Sequence, residues 1–236
     1  MGKKQKKKLK RKPKLSSRVS NEDPLRVCLR MNKAFFGVLL LCLYAISRYT
    51  RVSFLNAVLT MIFISASGYF THVLAHKINF QQVYKNQDSY LAKNYYVDGL
   101  IQWLCKAADF HDEIHHDSEV NKQWDNLAYE FILNFLTQGG LVLLLICILK
   151  RCSYSVIFLW AFLYATVHNI NYNIVHPSTH RDHHRKKTTN YGIDFYDIFF
   201  NSKFDIADIE DQNHGAINLV ILTAIILYLN NNSNTN

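Results

Sequence analysis

Apolar residues along the chain collect into long runs separated by strongly polar blocks. Four runs stand out: Ala34–Tyr49, bounded by Lys33 and by Arg48 and Arg51; Val52 to about Phe70; Phe131–Leu149, closed by Lys150 and Arg151; and Tyr154–Val167. Each is near or just below the roughly 17–25 residues that a spanning helix needs. Four such runs in one chain argue against buried helices of a soluble domain, and the very short links within each pair predict helical hairpins. A fifth run, Ala216–Leu229, is shorter, and spanning, lying in the interface and packing on the others are all open to it. The expected fold is all-α and integral to a membrane: two transmembrane hairpins, four spans, and a candidate fifth helix at 216–229.

Composition sharpens this picture. The chain has 236 residues, 49% apolar and 14% aromatic with three prolines, which suits one domain plus a tail and excludes a disordered protein. The net charge of +9 has one source: residues 1–14 hold nine of the 27 Lys/Arg and no acid, leaving 18 basic against 18 acidic residues elsewhere. Such a tail could meet nucleic acid, anionic lipid or a targeting receptor. No aromatic is interleaved with the lysines to stack bases, so a solvated arm that helps to fix topology is expected, with no nucleic-acid partner. Lys6 stands where a myristoylation signal wants Ser or Thr, and the first apolar run starts only near Ala34, so neither N-myristoylation nor a cleavable signal peptide is expected.

Thirteen Lys/Arg precede Ala34, which predicts a cytosolic N-terminus. Two hairpins return the chain to that side, so Phe70, Tyr129 and Val167 are expected near the cytosolic surface. Residues 1–33 read as a basic cytosolic tail, and residues 34–236 as the membrane-bound domain. The five cysteines show no CxxC spacing; Cys42, Cys147 and Cys152 lie in or beside apolar runs and read as small hydrophobes.

The candidate chemistry lies in the polar blocks, about 71–127 and 168–215, which hold all eleven histidines. His72 and His76 follow the second run; His111, His115 and His116 precede the third; His168 follows the fourth, with His176 close behind; His180, His183 and His184 come next. On a helix, residues three or four apart share a face, as His72/His76, His111/His115, His180/His183 and His180/His184 do. Adjacent pairs such as His115–His116 and His183–His184 splay apart, so one member can serve one metal and its neighbour a second. Neutral imidazole suits iron, zinc, copper or nickel, and ten histidines exceed what one tetrahedral zinc uses. His214 has no patterned partner and reads as structural. His176 lies four before His180, but Pro177 can equally mark an ordinary helix start.

The order HxxxH, a second histidine cluster, then HxxHH resembles the fatty acid hydroxylase/sterol desaturase superfamily. The match is best at His180-x-x-His183-His184, followed after five residues by Asn190-Tyr191-Gly192 and then Asp194-Phe195-Tyr196-Asp197-Ile198-Phe199-Phe200. The resemblance covers about residues 34–205. It implies a four-helix membrane stem capped by a cytosolic, histidine-rich helical metal domain. It implies two iron ions (zinc in a purified or inactive form), and O2-dependent hydroxylation or desaturation of a fatty acyl chain or sterol. It implies electrons from a separate donor such as cytochrome b5, and residence in the endoplasmic reticulum. Carried over residue by residue, the ligands are His72, His76, His115, His116, His168, His180, His183 and His184. The family's second box is commonly HxxHH, which wants a histidine at 112. This chain has Asp112 there and His111 one place earlier, so His111 is the expected substitute, with Asp112 a further candidate. Phe200-Asn201-Ser202 replaces the family's closing FGT-like triplet.

Phe110, Tyr172 and Phe195 could line a lipid path, or be ordinary packing residues. Asp112, Glu113, Asp117 and Asp182 could orient imidazoles, or be solvated carboxylates. A metal transporter would want ionisable residues inside its spans, and these spans lack His, Asp and Lys at mid-depth. The alternative to an oxygenase is a non-catalytic membrane protein that keeps a structural metal site.

Overall fold

The computed structural model describes residues 22–86, 95–116, 124–139 and 152–233, among which the regular structure is helical and no residue lies in a strand. The basic residues of 1–14, positions 140–149 of the third run, Asp117 and Cys147 lie outside the described residues. Among the described residues, Cys28, Cys42, Cys105 and Cys152 are free thiols.

Helix α1 (Pro24–Met31) leads through Asn32 into α2 (Lys33–Thr50). Arg51, in the left-handed region at φ 58°, ends α2, and Ser53 starts α3 (Phe54–Lys77) by accepting the Asn56 N–H at 3.1 Å. These two caps make the first hairpin. Short α4 (Phe80–Lys85) and α5 (Tyr95–Phe110) follow, and a π-helical turn at His111–His115 continues α5. Then come α6 (Trp124–Leu136) and α7 (Tyr154–Thr166). A second π-turn, Val167–Asn171, carries α7 without a break into α8 (Tyr172–Val175). Helices α9 (Ser178–Arg185) and α10 (Asp194–Phe199) are short, and α11 (Ala216–Ser233) closes the chain.

By length and composition, Lys33–Thr50, Phe54–Lys77 and Gln212–Asn232 are long and apolar enough to cross a membrane. The fifth apolar run is therefore of spanning length, extended at its start by residues that the hydrophobic pattern had excluded. The fourth run, α7, has 13 residues, but the helical path it begins runs to Val175.

The core sits where these helices meet. Leu43 and Ile46 of α2, Ala57 and Ile64 of α3, Val156, Ile157 and Leu159 of α7, and Leu219 of α11 are buried together. The opposite faces are apolar too: Leu41 is 69% exposed, Leu55 67% and Ile217 69%. Helices apolar all round need an apolar solvent outside as well as a core inside, which a bilayer supplies.

Polar contacts gather at one end of the bundle. Asn213 Oδ1 accepts the Phe35 N–H at 3.0 Å, and Asn32 Oδ1 accepts the Gln212 N–H at 2.7 Å, joining the start of α2 to the approach to α11. Asn171, beyond the end of α7, donates to Asn218 Oδ1 at 3.0 Å. The end of α3, the π-turns and α9 meet at this same end.

Candidate metal centre

Two π-turns and two helix ends deliver the histidines. A π-turn widens the backbone by one residue per hydrogen-bonded ring, and such turns recur at functional sites. One carries His111 and His115, the other His168. His72 and His76 lie on the last turns of α3, with ring centroids 5.2 Å apart, and His180, His183 and His184 lie on α9.

The rings form two connected groups. In the first, ligand atoms of His72, His76, His111 and His183 all lie within 4.8 Å of one another. In the second, His115 joins His180 and His184, and it also joins Glu130 and His168, with the same spacing. His183 Nε2 lies 3.1 Å from His72 Nε2 and 3.2 Å from His76 Nε2; His184 Nε2 lies 3.1 Å from His180 Nε2. Two nitrogens each about 2.1 Å from one ion, subtending roughly 90–110°, stand about 3.0–3.4 Å apart. The observed separations fall inside that interval.

A second test is hydrogen-bond satisfaction. Buried polar atoms are nearly always paired. Here His72 Nδ1, His111 Nε2, both nitrogens of His116 and His168 Nε2 are buried without a hydrogen-bond partner. Cations would satisfy the nitrogens that converge. His183 gives the clearest case: its Nδ1–H donates to the Thr189 carbonyl at 2.7 Å, which leaves the Nε2 lone pair facing His72 and His76.

Burial sets the charge state. It pushes His111, His115 and His180 well below the usual imidazole range, with neighbouring imidazoles adding to the effect. It lowers His184, and His183 falls to about 3. The rings are neutral near pH 7, which is the form that ligates.

Buried histidine groups that could hold metal ions are therefore present. No family model, curated protein or solved structure matches the chain.

The spacing argument holds in part. His72/His76 and His180/His184 each share a group, and the splayed pair His183–His184 divides between the two. His111 and His115, also four apart, stack at 4.8 Å yet contribute to different groups. His180 and His183, three apart on α9, also fall in different groups, so sharing a helix face does not by itself mean sharing an ion. His116 stands between the groups, its ring 4.8 Å from His183 and 4.5 Å from His184.

Asp112 lies outside the groups and is partly exposed, 3.4 Å from His76 Nδ1 and 2.7 Å from Lys187 Nζ. It sits beside His76 and Lys187 and joins neither group. Asp182 pairs with Arg185 at 3.8 Å, and Glu113's side chain is outside the described set. His176 caps α8 in the left-handed region (φ 50°) and is exposed, beside Glu130 and His184 at the rim. His214 takes a hydrogen bond from Asn171 Nδ2 at 3.0 Å and joins neither group.

Several residues that shape the site escaped the sequence pattern. Glu130 is buried with its Oε1 2.6 Å from His115 Nδ1. Its signal was an isolated acid next to an apolar run. The Gln138 amide nitrogen lies 3.3 Å from His111 Nδ1. Gly68 makes that approach possible, since a Cβ there would overlap the Gln138 carbonyl. Asp197 accepts the N–H groups of Tyr191 and Gly192 at 2.8 and 3.0 Å, and Asn190 (φ 56°) donates to the Thr179 carbonyl. Together they shape the turn whose Thr189 carbonyl holds His183.

A narrow, mainly apolar crevice reaches His72, His168 and His180, with Phe35, Trp160, Leu163, Val167 and Ile193 among its walls. Tyr172 lines it. Phe110 packs instead against Ala107, Leu133 and Tyr129, and Phe195 against the Tyr69–Tyr191–Tyr196 cluster.

Proposed function

We propose that the chain is a membrane-bound oxygenase that holds two metal ions in its histidine groups and hydroxylates or desaturates a lipid. The observation that carries this reading is the convergence of the His72, His76 and His183 Nε2 atoms, with the His183 tautomer set by Thr189. The closing signature His180–Phe200, similar to that of the fatty acid hydroxylase/sterol desaturase superfamily, supports it, and that family normally uses iron.

The metal ions, when bound, supply the O2-dependent redox chemistry that an unactivated C–H bond requires. The chain's own residues do the rest. His72, His76, His111 and His183 hold one position; His115, His168, His180 and His184 hold the other, with His116 between them. Thr189, Glu130 and Asp112 orient individual rings from behind. The crevice presents lipid carbons to His72, His168 and His180, and Phe35, Trp160 and Leu163 exclude water around them.

The membrane arrangement follows the same reading. The first hairpin, the third run and Tyr154–Val167 are read as four spans, with α11 a fifth. The thirteen Lys/Arg before Ala34 orient the N-terminus and the histidines to the cytosol. There a separate donor such as cytochrome b5 delivers electrons, and the endoplasmic reticulum is the expected membrane.

The test compares lipid extracts of cells expressing the chain or its His183→Ala form. A lipid that gains one oxygen or one double bond only with the unaltered chain is expected. No such lipid, from protein shown to carry its metals, would favour the structural site instead.

A further inference from the structure

The two histidine groups differ in how they meet the outside. In the first, His72 is 3% exposed, His111 5% and His183 0%, and the His76 side chain is 2% exposed. In the second, His180 and His184 are partly exposed. Among the described residues, a cavity of about 240 Å³ lies against this second group alone. His115, His168, His180 and His184 all line it, with Glu130 beside them, and no histidine of the first group does. Its rim is polar: Asn173, His176 and Arg181 are exposed there.

A divalent ion is costly to strip of water unless ligands replace the water as it goes. At about 30 Å³ per water molecule, this cavity has room for an ion with part of its shell. The apolar crevice on the other side of the histidines is about 50 Å³, and its walls at Phe35, Trp160 and Leu163 offer no ligand. His176 is placed for the first exchange. It ends α8 at φ 50° and ψ 57°, with its N–H donating to the Tyr172 carbonyl at 3.0 Å, and Pro177 then opens α9. Non-glycine residues seldom take this left-handed conformation. Here it fixes an imidazole, a good ligand for zinc, iron or copper, on the rim between α8 and α9. The charged groups that face the same cavity are Glu130 of α6, which is buried, and Arg181 of α9.

We propose that this cavity is the entrance for the metal ion of the second position, with His176 taking the ion from water and passing it to His180 and His184. The proposal rests on the two-metal reading and adds a route to it. The first position lies out of reach of this cavity, so its exchange waits on local opening of the helix ends that bury it.

The test mixes the full purified chain, freed of metal in detergent, with Zn²⁺ and follows uptake both in time and at equilibrium. Uptake should show two phases of one ion each, the faster one lost in His184→Ala. His176→Asn removes the imidazole in favour of a residue that tolerates the left-handed region. It should slow the faster phase by about tenfold or more, because the ion is no longer held close to its site, and leave affinity at both positions unchanged. Arg181→Gln, which removes a positive charge from the same rim, should quicken that phase. Uptake of both ions at one rate, a faster phase untouched by His176→Asn, or a loss of affinity without a loss of rate would each overturn the entrance while leaving two metals in place. Uptake of no zinc would remove the two-metal reading as well. Two-phase uptake by protein that alters no lipid would sustain the entrance and remove the oxygenase reading.

Discussion

His183 donates its Nδ1–H to the Thr189 carbonyl across 2.7 Å, and that bond decides which nitrogen faces the other histidines. A carbonyl only accepts, so the proton sits on Nδ1 and Nε2 keeps its lone pair. The Nε2 atoms of His72 and His76 lie 3.1 and 3.2 Å away. Bulk solvent cannot satisfy a cluster this deeply buried, and a shared cation can.

The turn that carries Thr189 depends on Asp197, which accepts two backbone N–H groups and the Ser202 hydroxyl. Asp197→Ala should loosen that turn and lower metal affinity in the His183 group by roughly 10–100-fold. The group around His180 and His184 should keep its metal. Titration of metal-free protein with Zn²⁺ would resolve the two positions, and unchanged affinity at both would remove Asp197 from this role.

Glu130 should act on the other group. With its carboxylate 2.6 Å from His115 Nδ1, replacement by Gln removes a negative charge that favours the bound cation. The expected loss is again about 10–100-fold, now confined to the His115–His180–His184 position. A loss shared equally by both positions would point to general damage rather than to this contact.

Gly68 tests the scaffold. A methyl group there would run into the Gln138 carbonyl, backbone rather than a flexible side-chain tip. Gly68→Ala should cost about 1–3 kcal/mol, as overpacking does, and lower the melting temperature in detergent. Because Gln138 also reaches His111, metal binding should weaken with it. An unchanged melting temperature would show that α3 and the 137–139 turn are less closely packed.

Acid should destabilise the metal-free protein. In the unfolded chain a histidine takes up its proton near pH 6.5, whereas burial holds folded His183 to about 3. Between those values the unfolded state binds more protons, so folding stability falls as pH drops from about 6.5 toward 3. Bound metal should oppose this, since it occupies the same lone pairs. Thermal unfolding of chelator-treated and metal-loaded protein across this range measures both effects. A metal-free melting temperature that rises on acidification would contradict the buried neutral histidines.

Much of this site was legible because ligand chemistry demands particular residue types at particular spacings. His72/His76 and His180/His184 follow ordinary helical periodicity and share a group each. His111 and His115 do not share one, and the hydrogen-bonding register changes to a π-turn just where they stand, a turn that residue types alone do not mark. The role of Thr189 is carried by its backbone carbonyl, which any residue would supply. Glu210 and Gln212 lie outside every histidine cluster, on a loop that Asn32 ties to the start of α2 and Asp194 holds from the other side. The apolar runs forecast helices of spanning length for α2 and α3, but not the extension of α11 back to Gln212. There the polar residues Gln212, Asn213 and His214 break the hydrophobic pattern while the helical path continues.

Metal content tests the central claim most directly. The purified chain, loaded and then freed of loosely held ions, should carry two metal ions, with X-ray absorption showing mainly nitrogen ligands. His183→Ala and His184→Ala should each lower that content. One ion per chain, none, or two ions unaffected by both substitutions would contradict the two-metal centre.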